Sequence, residues 1–183
     1  YLVSYNSKYW TGDVRGYLAK FDSNDHLVLN YKWSAMPLLD ALVAGSGWDS
    51  ARKVISHNGT AGIPFRLANL TSAQKSYLGN SQDMLEYLRG NRSKEGTPFR
   101  TRKNVLGDIV DSEATVVGAP SASYATDTGY AAFKATYANR RKTVFAGAND
   151  GMLHAFDGDV GTATTNPADT AGKELWAYIP SFV

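Results

Sequence analysis

The chain has 183 residues, 43% apolar and 20% charged, a balance that excludes disorder, a collagen-like rod and a coiled coil. Its 19 Lys and Arg against 17 Asp and Glu leave a charge of +2, too small for the strongly basic face that nucleic acid requires. There is no cysteine, which excludes disulfides, zinc–thiolate sites and thiol nucleophiles. Apolar runs such as 38–44, broken by Asp40, fall far short of a transmembrane helix.

The chain opens at Tyr1 without Met or a basic-then-apolar leader, and reads as an excised fragment rather than a start site. Tyr1-Leu2-Val3-Ser4-Tyr5 already has strand character. Val14–Phe21 and Leu27–Trp33 follow as two further strand-like runs. Asp22-Ser23-Asn24-Asp25 between them is a turn cluster, because Asx side chains satisfy backbone donors, so the pair reads as a hairpin. Residues 1–35 are assigned as a partial blade.

Residues 36–104 read as a partly helical insertion. Arg52–Ser56 looks like an isolated strand between the turn signals at Gly47 and Gly59. Thr71 is positioned to cap a helix over Ser72–Leu78 that Gly79 ends. Ser81 caps a second, Gln82–Arg89, which stops at Gly90 and puts Met84, Leu85 and Leu88 on one face. Arg89–Lys103 is a polar, basic loop.

Residues 105–183 return to strands: Ala114–Gly118, Thr143–Gly147, Met152–Phe156 and Glu174–Ile179. Asn149-Asp150-Gly151 is a tight turn in which Gly151 supplies positive φ. On that reading Gly151→Val is costly, while Asp150→Asn, which keeps the turn chemistry, is nearly silent. A long Gly/Thr/Asn/Asp/Pro loop, 157–172, precedes the last strand.

Self-similarity organises these pieces. Gly16-Tyr17-Leu18-Ala19-Lys20-Phe21-Asp22 aligns with Gly151-Met152-Leu153-His154-Ala155-Phe156-Asp157, and a Trp-bearing strand follows each copy, at Trp33 and Trp176. A turn Gly opening a strand, an Asx turn closing it and a Trp strand beyond describe a β-propeller blade. The fold class is therefore mainly β: a partial β-propeller of quinoprotein dehydrogenase-like blades with a partly helical insertion. The two copies are much further apart than a blade of about 40–50 residues, so 36–104 is an excursion between blades, and 105–183 is a blade with a long loop before its last strand. Because propellers close as rings, the segment alone should be poorly soluble, with another blade expected from Ser181-Phe182-Val183.

The run from Val144 to Asp157, with Gly172–Pro180, resembles the quinoprotein-dehydrogenase-like propeller repeat. Leu106-Gly107-Asp108-Ile109-Val110-Asp111-Ser112, Gly62-Ile63-Pro64-Phe65-Arg66 and Tyr87-Leu88-Arg89-Gly90-Asn91-Arg92 narrow this, because all three resemble segments of type IV pilus biogenesis proteins of the PilC/PilY family. The resemblance implies part of a C-terminal propeller in a non-enzymatic tip-associated adhesin that supports pilus assembly, twitching motility and surface attachment. Implied partners are minor pilins or a pilus-tip complex and a host or abiotic surface. The implied location is extracellular, at the pilus tip or outer membrane surface of a Gram-negative bacterium. The family's calcium loop, Asp-x-Asp-x-Asp-x-x-x-Asp, and its Arg-Gly-Asp triplet are both missing here. No cofactor is expected in this segment, and calcium is left to other parts of the parent protein. Two alternatives share the blade repeat: a fragment of a pyrroloquinoline-quinone dehydrogenase, and an outer-membrane scaffold propeller unrelated to pili.

Candidate chemistry is sparse. His26, His57 and His154 have no ligand spacing; His154 reads as a packing or surface residue and His57 as a turn residue. Asp108, Asp111 and Glu113 are weighed as acid–base carboxylates, Asp111 and Glu113 sharing a strand face, and are read as a solvated strand edge or as hydrogen-bonding neighbouring turns. Asp157, Asp159 and Asp169 are too few and too irregularly spaced for calcium. The basic residues Arg89, Arg92, Lys94, Arg100, Arg102 and Lys103 read as a solvated loop. No residue is assigned a catalytic, cofactor-binding or metal-binding role.

Overall fold

The computed structural model describes residues 1–124 and 128–181; the blade start expected at Phe182 and Val183 lies outside them. Strands β1 (Leu2–Asn6), β2 (Thr11–Phe21) and β3 (Leu27–Ser34) form an antiparallel sheet of three. The β2–β3 hairpin turns where expected, with Asp22 Oδ1 accepting from the amides of Asn24 at 2.8 Å and His26 at 3.0 Å. Helix α1 (Ala35–Val43) follows directly. It carries Pro37 in its first turn, where proline is tolerated, and Asp13 Oδ1 accepts from the Met36 amide at 3.1 Å. Neither α1 nor the short α2 (Gly47–Ser50) was expected.

Strands β4 (Val54–His57) and β5 (Gly62–Pro64) come next, then α3 (Ser72–Tyr77) and α4 (Gln82–Arg89). The expected caps are in place: Thr71 and Gln74 make a reciprocal capping box, the Ser81 side chain accepts from Met84, and Gly90 closes α4 at φ 112°. After β6 (Thr115–Val117), α5 (Thr128–Thr136) buries no residue. The chain then returns through β7 (Thr143–Ala148), β8 (Met152–Asp157) and β9 (Glu174–Tyr178).

The second sheet has the order β5-β4-β9-β8-β7-β6. Its β6–β9 portion is an antiparallel meander. The strand read as isolated is not isolated. Val54–His57 pairs antiparallel with β5 and parallel with β9, because Val54 and Ser56 bury against the same layer as Ala177. Two strands from 36–104 therefore extend the sheet built by 105–183. The protein is mainly β, in two sheets, and the described residues form no closed ring of strands.

Alternation along β7–β9 divides the second sheet into two faces. Val144, Ala146, Met152, His154, Phe156 and Ala177 point into the interior. One core packs Val144, Ala146 and Phe156 against Val14, Trp33, Leu39 and Leu106; a second packs Met152, Ala177 and Ile179 against Phe65, Leu70 and Leu85. The opposite face carries Phe145, Leu153, Trp176 and Tyr178, none of them fully buried. A second open apolar stripe runs along the β2–β3 hairpin, where Phe21 faces Leu27, Ala19 faces Leu29 and Tyr17 faces Tyr31.

The aligned copies differ at their glycines. Gly151 has φ 85° in the β7–β8 turn, as expected. Gly16 instead sits inside β2 at a register shift, and its need is room: a Cβ there would collide with the Trp33 indole. Gly172, at φ 74°, closes on the other side of the same ring, where a Cβ would lie 2.7 Å from it. The Trp33 Nε1 donates to the Asp159 carbonyl at 2.6 Å, so this indole, 5% exposed, pins the first sheet to the 157–172 loop. Trp33, on the Trp-bearing strand of the first copy, is core.

Candidate functional site

The most unusual chemistry in the molecule is a row of four charged side chains, three of them fully buried and the fourth, Asp150, 17% exposed at its end. Arg52, just before β4, gives a two-pronged contact to Glu174, with Nε to Oε2 at 2.8 Å and Nη2 to Oε1 at 3.0 Å. Glu174 Oε1 also meets His154 Nδ1 at 2.8 Å. The other ring nitrogen, Nε2, lies 3.1 Å from both carboxylate oxygens of Asp150. The side chains of Arg52 and His154 are 0% exposed and that of Glu174 is 1% exposed.

Local backbone features aim these groups. Regular register would pair Phe156 with Leu175, but a shift at Ala155/Phe156 pairs it with Glu174 instead. The bulge turns Glu174 onto the buried face beside His154, which would otherwise receive an apolar residue. Asp150 is held in the turn by two backbone amides, Gly107 at 3.0 Å and Met152 at 3.2 Å. Gly107 must be glycine, since a Cβ would lie 2.5 Å from the Asp150 nitrogen. Arg52 Nη1 donates to the Arg89 carbonyl at 3.0 Å, which extends the row to the end of α4.

Burial alone would drive these groups neutral, and mutual attraction reverses that. Burial pushes the His154 imidazolium down, but the Asp150 charge and hydrogen bond, then Glu174, outweigh it and lift the group from 6.5 to about 9. Burial pushes Glu174 up, but Arg52 and then His154 hold it down at about 2. Asp150 is likewise held below its ordinary value, burial being outweighed by His154. Two cations and two anions thus form a neutral set. An imidazolium donating from both nitrogens has no lone pair for base catalysis or metal binding. A cavity of about 320 Å³ opens at the Asp150 end, walled by Phe65, Leu70, Leu78, Leu88 and Ile179, with Ser56 and Gln74 as polar members.

The residues weighed from sequence are dispersed. His57 ends β4 and its Nδ1 accepts from Gly59 at 3.0 Å, while His26 is exposed beside Asp22. Asp111 and Glu113 lie outside any strand. Asp108 is buried, and its Oδ2 accepts from the Asn149 amide at 2.5 Å, which docks 106–109 on the β7–β8 turn. Asp157 and Asp159 accept from backbone amides of their own loop, and among the described residues no cluster of acidic and histidine side chains is placed to hold a metal. The basic run is broken up. Arg92 and Arg102 pair with Glu95, Arg102 also stacks 3.8 Å over Tyr87, Lys103 lies over Tyr9, and Arg89 is inside the protein. Sequence reasoning missed Arg52 and Glu174, and took His154 for a packing or surface residue. The available signal was His154 at an inward position between apolar neighbours; Glu174 gave none, because it faces inward only through the bulge.

No protein-family model and no solved structure matches the chain. Three relatives do. The type IV pilus biogenesis factor PilY1 of Pseudomonas aeruginosa strain PAK, and that of strain PAO1, are each 34% identical over 207 aligned residues, covering 100% of this chain. The PilY1 homolog of Xylella fastidiosa strain Temecula1 is 34% identical over 187, covering 97%. The chain belongs to the PilC/PilY family. It spans 16% of the two Pseudomonas proteins and 14% of the Xylella one. No helix among the described residues is long and apolar enough to cross a membrane.

Within this PilC/PilY segment the Asp150 carboxylate is a counter-ion, so Asp150→Asn is not the silent change a turn residue would give. It leaves His154 short of an anion and should cost about 3–5 kcal/mol in urea unfolding, the range for breaking a buried pair. That exceeds the roughly 1–3 kcal/mol expected of Gly151→Val from backbone strain. The row also sets a pH dependence. His154, with its folded pKa raised to about 9, contributes fully below pH 6.5 and loses that share as pH rises through 9. Glu174, lowered to about 2, contributes fully above pH 4.5 and loses its share as pH falls through 2. Urea unfolding should therefore show stability falling between about pH 6.5 and 9, with His154→Gln lacking that slope.

Proposed function

We propose that this chain is a non-enzymatic module of a type IV pilus biogenesis protein, in which the β6–β9 meander is one blade of a β-propeller. The whole-chain similarity to PilY1 proteins carries this reading. Two further features support it. The open apolar faces, Phe145, Leu153, Trp176 and Tyr178 on one sheet and Tyr17, Leu29 and Tyr31 on the other, suit packing by neighbouring sheets. The buried charged row engages both His154 nitrogens with carboxylates and brings no nucleophile to them, which suits a scaffold rather than a catalyst.

In this proposal the parent acts outside the cell, at the pilus tip or the outer membrane surface. It contacts minor pilins there, supports pilus assembly and twitching motility, and attaches cells to host or abiotic surfaces. Deleting the codons for these residues from the native gene tests the reading. Sheared surface pili and the twitching zone should both be lost or strongly reduced. Normal pili and normal twitching in that strain would contradict it.

A further inference from the structure

Arg89 is the most deeply buried cation without a counter-ion of its own. It is 1% exposed and donates only to backbone carbonyls: Nη1 to Phe65 at 3.3 Å, and Nη2 to Trp48 at 3.1 Å, Arg52 at 3.3 Å and Asp49 at 3.4 Å. Its Nε has no partner among the described residues. The nearest carboxylate, Asp49, lies 4.0 Å away and is already paired with Arg66. Burial, then Arg66 and Arg52, pull the Arg89 guanidinium down to about 10, the mark of a cation short of negative charge.

These residues surround a cleft of about 330 Å³ lined by Lys53, Arg66, Arg89 and Arg52, with Ile55 and Pro64 as apolar wall. Glu174 neutralises Arg52 and Asp49 offsets one more cation, which leaves two positive charges uncompensated. Lys53 is exposed without a partner among the described residues; Arg66, whose Nη2 also donates to the Asp49 carbonyl at 2.7 Å, is 41% exposed and turns the rest of its guanidinium to the cleft. Arg66 already demonstrates the preference of its planar guanidinium for a carboxylate.

We infer that this cleft binds a carboxylate carried on a short aliphatic stem, of the glutamate type, with Arg66 and Lys53 holding the oxygens and Ile55 and Pro64 the stem. Such a group comes either from a small dicarboxylate or from an acidic side chain of a partner, and the chemistry of capture is the same. Asp49 then acts as an internal competitor for Arg66. The site borders the buried row at Arg52 but uses none of its members to hold the ligand, and it does not depend on the pilus reading.

Equilibrium dialysis of radiolabelled glutarate against the full-length protein carrying this chain tests the inference, with an acetylated Glu-containing peptide, neutral glutaramide and inorganic phosphate in parallel. Saturable binding of glutarate and of the peptide is expected, with glutaramide not bound. Arg66→Gln should weaken binding about tenfold, the scale of one charge-assisted contact, and Lys53→Gln should weaken it less. Asp49→Asn should tighten it. If Arg66→Gln fails to fold, Lys53→Gln at an exposed position still decides. Binding of the peptide alone assigns the cleft to a partner's side chain, and equal binding of glutarate assigns it to a free dicarboxylate. No binding of either, binding unchanged in both Lys53→Gln and Asp49→Asn, or binding of phosphate without glutarate would overturn the inference.

Discussion

Two positive and two negative charges, all but Asp150 fully buried, constrain everything around them. Arg52, Glu174, His154 and Asp150 come from four places in the chain: the lead-in to β4, β9, β8 and the β7–β8 turn. A buried charge stripped of its partner is severely unfavourable, so each of these segments is fixed by the others. The 36–104 segment is therefore not a loosely tethered excursion. It delivers the guanidinium that the β6–β9 meander requires, and its own β4 follows Arg52 straight into the sheet beside β9.

A second linkage works by shape rather than charge. Trp33 fills a slot made by Gly16 and Gly172 and donates into the 157–172 loop, which joins the three-stranded sheet to the larger one. Charge ties the insertion to the meander, and the indole ties the opening hairpin to it. Leu106–Ile109 adds a third strap, with Gly107 and Asp108 bonding the turn that presents Asp150. Of the segments whose sequences resemble PilC/PilY proteins, Leu106–Ser112 supplies this third strap through Gly107 and Asp108.

Local signals in the sequence were reliable where local physics decides the outcome. The caps at Thr71, Ser81 and Gly90, the Asp22 turn, the positive φ at Gly151 and the succession β6–β9 could all be read from side-chain chemistry and alternation. What depends on distant contacts was not legible. Helix α1 is capped by Asp13 from another strand, and β4 gains its partner from β9, far along the chain. The bulge that turns Glu174 inward leaves no mark on alternation, so the ionic row could not be assembled from spacing. The repeat between 16–22 and 151–157 falls on two strands, β2 and β8, in different sheets, and its two glycines serve different ends, one for room and one for backbone angle.

The open sheet faces and the closed ionic row have complementary consequences. The faces suit packing by neighbouring sheets, while the row makes the segment rigid enough to present them in fixed register. A double-mutant cycle between Arg52→Met and Glu174→Gln, read by urea unfolding, probes that claim most directly. Coupling of about 2 kcal/mol or more is the result this account predicts, since the two side chains act as one buried unit. Coupling near zero, with each single change as mild as a surface substitution, would contradict it.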